Sequence, residues 1–160
     1  MAHPSYTMDL IYQDYPMGCW KASHKMMKSW KTGTSYTNDP SFQDEWVGPN
    51  GGLNTDRATI NAFCGANGYQ FAYLGDPNTN LATLKGMINR GPIMVCGKVP
   101  AAHFYVITGM DTDAVPPEST TLDMNDPLPV NVGAQYNGRS LADLLATFGP
   151  YAMIWVIQNR

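Results

Sequence analysis

The sequence contains no run of 18 apolar residues, so nothing in it reads as a membrane-spanning helix. Its first 18 residues have neither a basic n-region nor an apolar h-region, and nothing routes the chain through a Sec signal. Charge of one sign is also missing: ten Lys and Arg stand against 13 Asp and Glu, for a net charge of -3, and the basic residues are scattered. Such a chain has no positive footprint for nucleic acid or an anionic membrane surface. Cysteine is scarce, with three residues at 19, 64 and 96 and none in a C-x-x-C. An odd number in a chain large enough to need no staples argues against a disulfide framework and for a reducing compartment. His3, His24 and His103 show no metal-ligand spacing, which argues against zinc, and no cofactor is implied. Internal repeats and low-complexity tracts are absent.

What is present fits one domain over residues 1–160, a length at which about 70% of the unfolded surface is buried. Residues 1–15 read as an N-terminal arm without a sustained period, and Pro16 with Gly18 makes a turn. From Cys19 to Lys31, Trp20, Ser23, Met27 and Trp30 share one helical stripe, and Gly33 supplies a stop, so Cys19 falls in the first turn of a helix. Residues 32–53 are rich in Gly, Pro, Asn, Ser and Thr and read as a long loop near a cleft, with GPNGG at 48–52 its least regular part. A helix capped by Asn54 or Thr55 follows, with Ile60, Phe63 and Cys64 inward and an end at Gly65 or Gly68. Gln70 to Leu74 reads as a strand. Asn78 or Asn80 caps a third helix, terminated by Gly91 and Pro92. Ile93 to Gly97, His103 to Gly109 and Thr120 to Met124 are strand-like, Ser140 to Phe148 is a short helix, and Tyr151 to Gln158 is a buried strand. Helices early and strands late argue an α+β domain with segregated layers.

A cysteine becomes a nucleophile as its thiolate, which the positive end of a helix macrodipole and a nearby imidazolium both favour. Cys19 meets the first condition from local sequence. Gln13, six residues upstream, has an amide able to donate to an oxyanion beside the helix N-terminus. His103 opens an apolar strand, where a polar ring needs a partner. An imidazole acting as base needs its second nitrogen held. Asp126 is the candidate for that, with Asn125, Asp123, Asp111 and Asp113 as rivals. His24, five residues and about 500° of rotation from Cys19, points well away from it, and Cys64 and Cys96 fall on core faces.

The string Q-x5-C-W-x-A-S from Gln13 to Ser23, the H-F-Y-V-I-T-G-M-D run from His103 and the N-D-P at 125–127 resemble the papain-like cysteine peptidases. R-G-P-I-M-V at 90–95 resembles a strand of the compact bacterial branch, which includes secreted effector proteases and bacteriocin leader peptidases. The resemblance runs from about residue 10 to the C-terminus. It implies a papain-like α+β fold with the nucleophile at the start of the central helix and a C-terminal antiparallel sheet carrying His and Asp. By position it implies Cys19 as nucleophile, His103 as general base and acid, Asp126 as orienting residue and Gln13 as oxyanion donor, with Trp20 packed behind the nucleophile. The C-G-S-C string that precedes Trp in larger papains is missing, and Lys21 stands where the compact branch often has Ala; both bear on subsites more than on the triad.

The function implied is a cysteine protease acting on protein or peptide substrates, as a bacterial effector or toxin domain cut from a longer delivered protein. It would be made in the bacterial cytoplasm, delivered by a Sec-independent route and guarded by a cognate immunity or inhibitor protein. The alternatives are a peptidoglycan amidase of the same fold and an inactive papain-like binding module.

Overall fold

The computed structural model describes residues 4–37, 46–77, 79–98, 102–114, 119–148 and 153–160. His3, Asn78, Tyr151 and residues 38–45 of the expected loop lie outside the described residues. The elements run α1 (Cys19–Thr32), α2 (Arg57–Asn67), β1 (Tyr69–Tyr73), α3 (Leu81–Ile88), β2 (Ile93–Lys98), β3 (Ala102–Met110), β4 (Thr121–Asp126), β5 (Ala134–Ser140), α4 (Leu141–Phe148) and β6 (Trp155–Asn159). The strands form one antiparallel sheet in the order β1-β6-β2-β3-β4-β5, so the last strand inserts between the first two. This is the α+β architecture the sequence implies.

Alternation along the central strands divides the core between the two faces of the sheet. Met94, Cys96, Phe104, Val106, Trp155 and Ile157 pack with α1 and α2, whose contribution includes Trp20, Met26, Met27, Ile60 and Phe63. Ile93, Val95, Tyr105, Ile107 and Val156 face the other way, against Leu84 and Ile88 of α3 and Leu144 of α4. Because both faces are covered, β2 and β3 read as nearly unbroken apolar runs. Their burial, at about 25 cal/mol per Å² of apolar surface, is the main force holding the site's supporting strands in place.

The helix ends follow from local chemistry. Gly33 and Gly68 adopt left-handed φ of 70° and 71°, and their N–H groups donate to Ser29 O and Cys64 O. The cap of α2 differs from expectation: Asp56, not Asn54 or Thr55, accepts from the Thr59 N–H at 2.9 Å, while Asn54 Oδ1 accepts from the Asp56 N–H to set the preceding turn. Asn80 precedes α3 but spends its amide on Leu74 O at 2.6 Å. β5 was not expected. Its sequence, AQYNGRS, lacks an apolar alternation because it is an exposed edge strand, held by pairing with β4 and by the Gly138 N–H donating to Asp123 Oδ1 at 2.8 Å.

Candidate active site

The nucleophile candidate is placed by a turn. The Gly18 N–H donates to Tyr15 O at 3.0 Å, and the first intrahelical bond of α1 is the Ala22 N–H to Gly18 O at 3.0 Å. Cys19 therefore opens the helix, where backbone N–H groups precede the ladder and the macrodipole is positive. Space at 18 is tight: a Cβ there would lie 3.0 Å from the Tyr15 ring and 3.1 Å from Tyr15 O, so any larger residue would press on the turn. Cys19 is 6% exposed, and Trp20 beside it is buried, donating its indole N–H to Gly51 O at 3.3 Å.

His103 and Asp126 come together through strand register. Val106 pairs with Asn125, so in an antiparallel ladder Asp126 falls beside Tyr105, and His103 is its diagonal neighbour on the same face. The His103 Nε2 lies 2.8 Å from Asp126 Oδ1, and since a carboxylate only accepts, Nε2 carries the proton. The same oxygen accepts from the Leu128 N–H at 2.9 Å, which fixes the carboxylate. With Nε2 so engaged, Nδ1 is left to meet the Cys19 thiol, with which His103 is hydrogen-bonded. Burial alone would push this imidazole toward neutrality, but hydrogen bonds to Asp126 and Cys19 and attraction to their charges outweigh it and raise its pKa from 6.5 to about 9.

The rivals to Asp126 sit elsewhere. Asn125 turns to the opposite face, where its amide donates to Met8 O and its oxygen accepts from Gln135. Asp123 accepts from Ser5 and Gly138, and Asp111 accepts from the Asp113 N–H in the turn after β3.

Gln13 is buried beside this cluster at 1% exposure. Its amide nitrogen donates to Tyr15 O at 3.0 Å and to Pro16 O at 2.8 Å, so both hydrogens brace the turn that leads into Cys19. Its Oε1 is buried with no hydrogen-bond partner among the described residues.

Gly48, Pro49, Asn50, Gly52 and Leu53, from the end of the 32–53 stretch, lie along a groove. This groove, of about 480 Å³, is also lined by Met17, Thr55 and Ala102, among others, and none of the described lining residues is charged. GPNGG is a closed turn: the Gly48 N–H donates to Gly52 O at 2.8 Å, the Gly51 N–H to Gly48 O at 2.9 Å, and Gly51 sits at φ 84°, a conformation open mainly to glycine. The groove's lining includes Ala102, the residue before His103 in β3, and Met17, two residues before Cys19. Sequence composition marked the loop, Leu53 included, but not Met17 or Ala102 as its partners.

The other thiols and the other described histidine are structural. Cys64 and Cys96 are each 1% exposed, and burial pushes the Cys64 thiol up to about 12 and Cys96 upward as well. His24 lies against Phe63 and Tyr69, its Nδ1 2.6 Å from the Tyr69 hydroxyl. Burial, then the nearby Lys28 charge, lower its pKa to about 3 against a raising hydrogen bond from Asn67. The folded chain thus excludes a proton that the unfolded chain binds below pH 6.5, so stability falls as pH drops from 6.5 toward 3. His24→Gln is expected to remove most of this, shrinking the loss of unfolding free energy between pH 7 and pH 4 by about 3 kcal/mol in urea titrations. An unchanged pH 7 to pH 4 difference would rule His24 out as its source.

A thiol on the first turn of a long helix, with its imidazole and carboxylate on later adjacent strands, is the arrangement of a papain-like cysteine peptidase. The sequence profile of the family described as papain-like cysteine protease AvrRpt2 matches residues 3–141, and the chain belongs to that family. Among solved structures, the chain is similar to a double glycine motif protease from an AMS/PCAT transporter in complex with the leader peptide. The two superpose with a TM-score of 0.59 over 99% of this chain and 97% of that one at 15% identity, a likeness of fold. No curated protein matches the sequence. Among the described residues no helix is long and apolar enough to cross a membrane.

Proposed function

We propose that the chain cleaves peptide bonds in proteins of a target cell through Cys19, His103 and Asp126. The observation that carries this is His103 hydrogen-bonded on one side to Cys19 and on the other to Asp126, at a helix N-terminus beside an uncharged groove. The Cys19 thiolate attacks the scissile carbonyl carbon, and the oxyanion is received by the Cys19 backbone N–H. Gln13 joins it as a donor when one of its N–H groups exchanges a turn carbonyl for the oxyanion. As the tetrahedral intermediate collapses, the C–N bond breaks and the His103 Nδ1 proton goes to the leaving amine, giving a thioester on Cys19. Water, deprotonated by His103, then adds to the thioester and releases the carboxylic acid and the thiolate. Asp126 keeps the ring oriented and its charged form favoured throughout.

The biological setting we infer is an effector or toxin delivered by a Sec-independent route and held in check by a cognate inhibitor or immunity protein. It is supported by the family and by the resemblance to secreted effector proteases. An epoxysuccinate inhibitor is expected to label Cys19 and leave the buried Cys64 and Cys96 untouched, as read by peptide mapping. New protein N-termini that appear in cells given the wild type and not Cys19→Ala would identify the substrates. If instead purified sacculi release muropeptides in a Cys19-dependent way and no protein N-termini appear, the amidase reading replaces this one. A producing cell that tolerates high expression of the wild type without any neighbouring gene would remove the immunity partner.

A further inference from the structure

Residues 127–132, Pro-Leu-Pro-Val-Asn-Val, leave β4 directly after Asp126, and five of the six are apolar. Surface loops are ordinarily polar, and clustered apolar side chains held out to solvent mark contact sites. Leu128 is 38% exposed and Val132 65%, and across from them Tyr12 is 46% exposed. The loop lies against the segment ending at Gln13: a Cβ on Gly133 would sit 3.1 Å from Leu10 Cδ2 and 3.2 Å from Tyr12 Cβ.

This surface is rigid. The Gln13 N–H donates to Pro127 O at 3.1 Å and the Asn131 N–H to Gln13 O at 2.8 Å. The Val132 and Gly133 N–H groups donate to Pro129 O at 3.0 and 2.8 Å, and the Leu128 N–H goes to Asp126 Oδ1. These backbone donors turn inward, so what the loop offers outward is side-chain hydrocarbon on a preorganised frame. The frame is built on Gln13, whose amide braces the turn leading into Cys19, and on Asp126, which holds His103.

We propose that Tyr12, Leu128 and Val132 form a substrate subsite that takes an apolar side chain, on the side of the scissile bond away from the Met17–Leu53–Ala102 groove. The inference rests on the protease reading. A polypeptide with its scissile carbonyl at Cys19 must continue in two directions. One enters the groove beside Met17 and Ala102. The other passes Gln13, which Tyr12 precedes, and Asp126, to which the Leu128 N–H donates. The occupant is therefore the half of the substrate that the groove does not hold, and the subsite contributes specificity, not chemistry.

The test is a cleavage profile on a peptide library made from a digested proteome, comparing the wild type with Val132→Glu and with Leu128→Lys. The wild type should prefer an apolar residue at one position on one side of the cut. Val132→Glu should weaken that preference about tenfold and raise acceptance of Lys and Arg there. Leu128→Lys should instead raise acceptance of Asp and Glu. In Val132→Glu, preferences on the other side of the cut and the rate of Cys19 alkylation by iodoacetamide should stay as in the wild type. Normal wild-type cleavage with a profile unmoved by both variants overturns the subsite and leaves the protease reading standing. So does a variant that keeps the profile but converts a dimer to a monomer, which would make the patch a self-association face. A wild type that cuts no peptide removes the protease reading, and this subsite with it.

Discussion

Cys19→Ala is expected to lower turnover of any protein substrate by about a millionfold, to the detection limit, because covalent catalysis is lost with the atom that forms the thioester. The same substitution should also be visible in the free protein. Two of the influences that hold the His103 pKa at about 9 are the hydrogen bond and the charge of Cys19. With the thiol gone, burial is opposed by Asp126 alone, and the imidazole should titrate at lower pH in NMR. The sign for stability follows from linkage. A folded pKa above 6.5 means the folded chain holds a proton that the unfolded chain releases, so this contribution is complete below pH 6.5 and is lost as pH rises through 9. Cys19→Ala should therefore flatten the alkaline fall in unfolding free energy as well as abolish turnover. Retention of cleavage within an order of magnitude, or an equal loss in Cys64→Ala or Cys96→Ala, would mean that the nucleophile has been misassigned.

Much of the scaffold was legible because the signals were periodic. The stripe on α1, the apolar runs of β2 and β3 and the glycine stops at 33 and 68 each express a local rule that the tertiary structure does not override. Asp126 could be named from sequence only as one acid among several neighbours. What singles it out is the pairing of Val106 with Asn125, which sets Asp126 and His103 on one face and Asn125 on the other. Register of that kind depends on both strands together and is not written in either alone. β5 escaped notice because an edge strand needs no apolar face. The Gln13 amide illustrates a different limit: its type and spacing suggest an oxyanion donor, but its position relative to Tyr15 O and Pro16 O is a matter of tenths of an ångström in a turn. The apolar loop after Asp126 was present in the sequence throughout, yet composition cannot tell a buried apolar run from one held out to solvent.

Asp126→Asn separates two duties of one carboxylate. Its Oδ1 accepts from His103 Nε2 and from the Leu128 N–H, and an asparagine carbonyl oxygen can accept both, so the ring should stay oriented. What disappears is the charge, and with it an attraction that, behind the hydrogen bonds to Asp126 and Cys19, helps raise the His103 pKa against burial. If the competent form is the thiolate paired with imidazolium, activity falls on the alkaline side as His103 loses its proton, near pH 9 in the wild type. In Asp126→Asn this limb should move to lower pH, with kcat/KM near neutrality reduced about a hundredfold. Asp126→Ala should show the same shift and a larger loss, because the Leu128 N–H and the ring nitrogen both lose their acceptor and the loop carrying Leu128 is no longer tied to the site. A pH profile whose alkaline limb stays near 9 in Asp126→Asn would show that the carboxylate only orients the ring. An Asn variant as impaired as Ala, with no shift, would show that it acts through packing instead of charge.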